Sequence, residues 1–131
     1  MIELAILYRT LNLYSHHAHN LTKGDTFFED HSFFGDLYGA ADDYYDQIIE
    51  RMIGTGSDDI DLVSILKEST SLLSNAKDQY FETCLILLEE ILSTLEKVSK
   101  SGKISVGTQN LLQGQADALE VLVYKVKQKL K

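Results

Sequence analysis

All four histidines of the chain lie in one segment, residues 15–34, which reads SHHAHNLTKGDTFFEDHSFF. They are His16, His17, His19 and His31. Further along, in the stretch DDYYDQIIER, Asp46 and Glu50 stand four residues apart. Imidazole and carboxylate groups together are ligands that suit iron, zinc or manganese. Residues four apart share one face of a helix, so Asp46 and Glu50 can bind one ion together.

The histidines and the carboxylates are too far apart to share an ion within one chain. His19 and His31 flank a predicted chain reversal that could bring them together. His31 and Asp46 lie on one predicted helix, roughly 22 Å apart at 1.5 Å per residue. In a two-fold dimer with this helix antiparallel to its mate, the histidines of one subunit would face the partner's carboxylates, and symmetry would create two equal sites. Such residues are also common on helix surfaces that bind no metal, and spacing alone leaves that alternative open.

The elements that must position these residues are helices. Glycines and polar stretches separate four segments with helical apolar spacing, and none shows sustained strand alternation. The predicted helices cover residues 3–21, 26–52, 70–100 and 105–130. Lys23 and Gly24 form a stop signal after the first, and Thr26 and Glu29 have capping-box spacing at the start of the second. With a short amphipathic piece, DIDLVSILKES, in the second connection, the predicted fold is an all-α four-helix bundle with an extra crossover helix. Residues 1–131 are predicted to form a single domain.

Composition narrows the class of protein. The chain is 44% hydrophobic and 24% charged, as globular proteins are, and no apolar run approaches the roughly 20 residues of a membrane span. Glu3 and Arg9 interrupt the apolar N-terminal stretch, which is predicted to be a structural helix and not a signal peptide. The net charge of −8 disfavours a broad nucleic-acid surface and suits cations, although solubility alone explains it as well. Cys84, the lone cysteine, is predicted to be a buried thiol in a reducing compartment, hence a cytoplasmic location.

A set of residues at fixed spacing, H-x4-G-x2-F-x3-H followed by D-x3-E-R, resembles the signature of the Dps family, the mini-ferritins of the ferritin-like superfamily. In chain order these residues are His19, Gly24, Phe27, His31, Asp46, Glu50 and Arg51. In that family a histidine ends the first helix, a phenylalanine and a second histidine open the next, and an aspartate and a Glu-Arg pair close it. The C-terminal stretch GTQNLLQGQADALEVLVYKVKQKL also looks like the family's final helix. The resemblance covers nearly the whole chain.

The resemblance implies a homo-oligomer, a hollow dodecamer that oxidises Fe(II), preferably with hydrogen peroxide, and stores the ferric product. It implies a ferroxidase centre between two-fold-related subunits, with His19 and His31 from one and Asp46 and Glu50 from the other. Iron is the expected metal, with zinc or manganese as competitors, and the expected role is iron storage and protection against oxidative stress. The sequence does not identify the residues that line the entry pores; Asp117 and Glu120 are candidates.

One departure from the family pattern falls inside the expected site. The family usually has an aspartate four residues after the second histidine, where this chain has Gly35. Asp36 is adjacent, but it points about 100° around the helix and would need a distorted turn to take over. Gly35 leaves space for water or for His16, one turn from His19. Asp36 and His16 are therefore candidate additional ligands, and weakened oxidation is an alternative outcome.

Two further departures from the family pattern concern the tryptophan after the first histidine and the lysine-rich N-terminal extension. The residue after the first histidine is Asn20 instead of the family's common tryptophan. The chain begins without a lysine-rich extension, and its basic cluster is the C-terminal YKVKQKLK, so DNA binding is predicted to be weak or absent. The alternatives are a Dps-like shell with weakened ferroxidase activity, acting as a structural or DNA-associated protein, and a metal-free four-helix interaction module. The intrasubunit di-iron site of larger ferritins is excluded because the last two helices lack histidine.

Overall fold

The computed structural model describes residues 1–57 and 59–131, and its regular elements are all α-helices. They are α1 (Ile2–Leu21), α2 (Phe27–Gly54), α3 (Leu62–Leu73), α4 (Tyr80–Ser99) and α5 (Val106–Lys129). The four long helices form the bundle, and α3 is the extra helix of the crossover between α2 and α4. The predicted fold class is confirmed. Of the predicted break IGTGSDD, Asp58 lies outside the described residues.

The crossover helix is longer than its sequence pattern predicted. A third helix over residues 70–100 was expected, but α3 continues to Leu73 and α4 begins only at Tyr80, so the expected start is wrong. The reason is a tertiary contact: α3 packs along α1, where Ser69 is fully buried with its hydroxyl 3.4 Å from the Ile6 carbonyl oxygen. Residues 70–73 therefore extend a helix that is already docked.

The turn between α1 and α2 differs from the predicted capping box. Gly24 adopts a φ of +96°, which suits a residue without a side chain and agrees with the predicted stop. Thr26 precedes α2, but its backbone is not extended and its side chain makes no cap hydrogen bond. Its hydroxyl instead donates to Asp30 Oδ2 at 2.7 Å. The expected pairing of Thr26 with Glu29 is therefore wrong, because the backbone turns the hydroxyl toward the next turn of the helix.

The helix α1 is the centre of the bundle and packs against α2, α3 and α4. Large apolar side chains from all four long helices meet in one core: Leu4, Leu11, Phe34, Leu37, Ile48, Leu88, Ile91, Leu95, Leu112 and Leu119. Cys84 is fully buried on α4, as predicted, and burial raises the pKa of its thiol to about 12. Within the described ranges, no helix has the length and apolar content needed to cross a bilayer.

Candidate metal centre

The two histidines at the α1–α2 turn are brought together. His19 lies in the last turn of α1 and His31 near the start of α2. Their imidazole rings stack, with centroids 3.7 Å apart and planes inclined by 21°. The Phe27 ring also stacks on His31, with ring centroids 4.9 Å apart. We call His19 and His31 the histidine half-site.

Hydrogen bonds determine which nitrogen of each imidazole is free. His19 Nδ1 is 2.7 Å from the His31 carbonyl oxygen, and His31 Nδ1 is 2.8 Å from the His19 carbonyl oxygen. Because a carbonyl oxygen only accepts, each Nδ1 carries the hydrogen. In the neutral imidazoles both Nε2 atoms then keep a lone pair, the arrangement that metal-binding histidines ordinarily have. The half-site is therefore locked in a tautomer that suits a cation.

The space beside Gly35 is occupied by the histidine pair itself. A Cβ added at Gly35 would lie 3.2 Å from both Cε1 and Nδ1 of His19. The expectation that this space is left for water or His16 is therefore wrong, because the His19 ring packs against the α2 backbone there. His16 stacks instead on Tyr38, with ring centroids 4.1 Å apart, and its centroid is 6.3 Å from that of His19.

Asp36 stays on the outside of α2. The helix is continuous through residues 35 and 36, so the distorted turn that would redirect this carboxylate is not observed. The Asp36 side chain is exposed to solvent. The assignment of Asp36 and His16 as additional metal ligands remains a prediction.

The two predicted carboxylate ligands lie in the other half of α2. Asp46 and Glu50 are both exposed and one turn apart on the same helix; we call them the carboxylate half-site. Because α2 is unbroken, they are separated from His31 by roughly 22 Å or more. In residues 1–57 and 59–131 of a single chain, no group of three or more His, Cys, Asp or Glu side chains is placed to hold a metal ion.

Between the half-sites, the surface of α1 and α2 is held by polar contacts. Arg9 Nη1 donates to Asp42 Oδ1 at 3.1 Å and to Asn12 Oδ1 at 3.0 Å, and its guanidinium lies 3.8 Å from the centre of the Tyr45 ring. Asn12 in turn donates to the Tyr38 carbonyl oxygen at 2.9 Å. Sequence reasoning missed these residues. Their signal was a helical spacing of three and four residues, shared by Arg9, Asn12 and the histidines of α1.

Two of the four C-terminal lysines are engaged with their own chain. Lys127 pairs with Glu89 at 3.5 Å, and Lys129 pairs with Asp30 at 3.1 Å. The basic cluster is therefore partly neutralised before any polyanion approaches. Asp117 and Glu120 are exposed on α5, and their assignment to a pore remains a prediction.

Comparison with known proteins identifies the fold of the chain through a solved structure. No protein-family model matches the sequence, and no curated protein does. Among solved structures, the chain is similar to a mutant of Dps1 from Mycobacterium smegmatis, with a TM-score of 0.81 and 18% sequence identity. The match covers 99% of this chain and 91% of that one. At this identity the likeness establishes architecture, and the chain has a Dps-like, ferritin-like helical fold.

Proposed function

We propose that this chain is the subunit of a homo-oligomeric cage, a dodecamer, that oxidises Fe(II) between two-fold-related subunits and stores the ferric product. The observation that carries the proposal is the reciprocal hydrogen bonding of His19 and His31, which leaves both Nε2 lone pairs free at one end of α2. The carboxylate half-site lies at the other end. An antiparallel partner places each half-site opposite its complement. The expected setting is the cytoplasm.

The donor set suits the chemistry. Imidazole nitrogens bind Fe(II), and carboxylate oxygens stabilise Fe(III) more strongly, so the site favours loss of an electron. With hydrogen peroxide, two Fe(II) ions each give up one electron, and with two protons the products are two Fe(III) and two water molecules. Taking both electrons from iron in this way prevents hydroxyl radicals. Zinc and manganese compete for the same ligands.

Exposed apolar side chains at the end of α2 and on α3 support self-association. Ile53 at the end of α2 and Leu62, Val63 and Leu66 on α3 are all exposed in the single chain. Several large apolar side chains exposed on neighbouring segments of the chain favour a protein contact. A second copy packed along α2 would cover this surface while completing the metal sites.

Subunit complementation tests the proposal. The variant His19→Ala/His31→Ala lacks one half-site, and Asp46→Asn/Glu50→Gln lacks the other. In a mixed dimer one site is complete and the other has neither half. Equimolar reassembly should restore about one quarter of the wild-type rate, because half of the dimers are mixed and each holds one of two sites. The rate is measured as growth of ferric absorbance after Fe(II) and then stoichiometric peroxide.

The control for this experiment takes each variant alone through the same disassembly and reassembly. Background-rate oxidation by both variants, with recovery only in the mixture, supports a site shared between subunits. Full activity in either variant alone, or no recovery in a mixture that reassembles to wild-type size, contradicts it.

A second candidate is a Dps-like shell that binds iron but oxidises it slowly. Gly35 favours it, because residues 1–57 and 59–131 of a single chain place no third metal-ligating side chain beside the imidazole pair. Wild-type oxidation at the background rate, with iron binding still dependent on His31, would select this candidate. A structural role on DNA is disfavoured by the ion pairs of Lys127 and Lys129.

A further inference from the structure

Three polar contacts connect α2 to α5 along the length of both helices. Lys129 Nζ lies 3.1 Å from Asp30 Oδ1, Gln115 Nε2 donates to Gln47 Oε1 at 3.1 Å, and Arg51 Nη1 is 3.4 Å from Thr108 Oγ1. We call these contacts the α2–α5 polar seam. Its α2 members are the immediate neighbours of proposed ligands: Asp30 precedes His31, Gln47 follows Asp46, and Arg51 follows Glu50.

This adjacency has a geometric consequence. Successive residues on a helix point about 100° apart, so a side chain held against α5 determines where its neighbour points. We propose that the α2–α5 polar seam sets the rotation of α2 about its own axis, and that Lys129 is the positioning residue for the histidine half-site. The inference rests on the proposed function, since it assigns the seam a role in metal binding.

The Lys129 contact is the ion pair of the seam, and its acidic partner Asp30 is nearly buried. The Asp30 side chain is only 12% exposed, and its second oxygen accepts the Thr26 hydroxyl at 2.7 Å. The ammonium of Lys129 also lies 3.5 Å from Thr26 Oγ1 and 5.3 Å from the centre of the Phe81 ring. A carboxylate this buried is costly without a cationic partner. Lys129 therefore fixes Asp30, and with it the first turns of α2.

The histidine half-site depends on those turns through its backbone. The His31 carbonyl oxygen accepts the His19 Nδ1–H bond, and His31 Nδ1–H reaches back to the His19 carbonyl oxygen. A small rotation of the first turns of α2 moves the His31 carbonyl and imidazole together and weakens both bonds. The preceding turn supplies no side-chain cap to the first backbone N–H groups of α2, because the Thr26 hydroxyl donates to Asp30 instead.

The other two contacts of the seam, Gln115–Gln47 and Arg51–Thr108, hold α2 against α5 closer to the carboxylate half-site. Gln115 is 2% exposed and also accepts the Tyr8 hydroxyl at 2.8 Å, so the central contact belongs to the core. Arg51 passes close to Gly107, where an added Cβ would lie 3.7 Å from Nη1. Substitution of these residues would disturb core packing. Lys129, at the end of α5, allows a cleaner test.

Zn²⁺ titration of the full-length, assembled protein tests the inference. The variants are Lys129→Ala, Lys129→Arg and the matched control Lys125→Ala, which removes the same charge one turn earlier on α5. We expect Lys129→Ala to weaken Zn²⁺ binding about tenfold, within the range for residues that orient metal ligands. Lys129→Arg should remain within about twofold of wild type, because arginine also reaches a carboxylate. Lys125→Ala should match wild type.

A second measurement separates positioning from general stability. In protein labelled with ¹⁵N-histidine, the Nδ1–H signals of His19 and His31 should be present in wild type and lost or averaged in Lys129→Ala. Unchanged Zn²⁺ affinity and histidine signals in that variant, whatever its thermal stability, overturn the inference while leaving the proposed function intact. Wild-type protein that binds Zn²⁺ no better than His19→Ala/His31→Ala overturns the metal site and the inference together.

Discussion

The two ends of α2 prepare their donors in opposite ways. At the N-terminal end, His19 and His31 are partly buried, stacked, and joined by two hydrogen bonds to backbone carbonyls. At the C-terminal end, Asp46 and Glu50 are exposed to solvent. One chain thus holds its two imidazoles by contacts within the fold and leaves its two carboxylates in solvent. From this difference we expect that, in the proposed site, the histidine end determines metal affinity and the carboxylate end makes function depend on a partner.

The largest expected effect tests the rigidity of the histidine end. His31→Ala removes one proposed ligand, together with the imidazole that stacks on the His19 ring and donates to the His19 carbonyl oxygen. We therefore expect Zn²⁺ affinity to fall at least about 100-fold. His19→Ala should do the same for the reciprocal reason. The double variant should lose little more than either single variant, because the residues act as one unit. Additive losses in isothermal titration would show that the two imidazoles bind independently.

At the carboxylate end we expect a substitution to reduce iron oxidation more than Zn²⁺ binding. Glu50→Gln keeps the size of the side chain but removes the charge that we propose stabilises Fe(III). We expect Zn²⁺ affinity to fall about tenfold and peroxide-driven ferric absorbance to fall to the background rate. Lys100→Ala, a change at an exposed ion pair with Glu96, serves as a surface control. Equal losses of binding and oxidation would remove the functional distinction between the two ends.

A smaller effect is expected from crowding the imidazole pair. Gly35→Ala places a Cβ 3.2 Å from the His19 ring, which must shift by a few tenths of an ångström. We expect about a fivefold loss of Zn²⁺ affinity, below the loss for outer-shell partners. The matched control is Gly114→Ala on α5, where the added Cβ has no neighbour within 4 Å. It should raise the free energy of unfolding by about 0.5–1 kcal/mol and leave affinity unchanged. Equal affinities for both variants would mean that the ring tolerates the contact.

The smallest expected effect concerns the buried thiol, which belongs to neither end. Burial raises the pKa of Cys84 from 9.0 to about 12, so the neutral thiol is favoured in the folded protein. The native protein at pH 8 should resist alkylation by iodoacetamide, and unfolded protein should react fully. The stability contributed by this shift is fully present below pH 9 and is lost as the pH rises toward 12. Rapid alkylation of the folded protein would contradict the burial of the thiol. Cys84→Ala should leave Zn²⁺ affinity within about twofold of wild type.

Much of the architecture follows from local pattern. Apolar side chains at helical spacing predicted the four long helices, and the extra helix of the crossover was visible as a short amphipathic piece. The separation of the predicted histidine and carboxylate ligands along one helix also followed from the sequence. The rise of a helix is constant, so the number of residues between His31 and Asp46 sets their separation once the segment is known to be helical.

Tertiary contacts determined helix boundaries and hydrogen-bond partners that the local sequence pattern did not predict. The helix α3 packs on α1 and continues to Leu73, so α4 begins at Tyr80 and not at the predicted residue 70. The backbone at Thr26 directs its hydroxyl to Asp30, where the sequence had predicted a capping box with Glu29. The locked tautomer of the histidine pair requires carbonyl groups of two different helices. The pairing of Lys129 with Asp30 joins opposite ends of the chain. Composition and spacing specify which residues are available, but the packing of the helices determines which atoms meet.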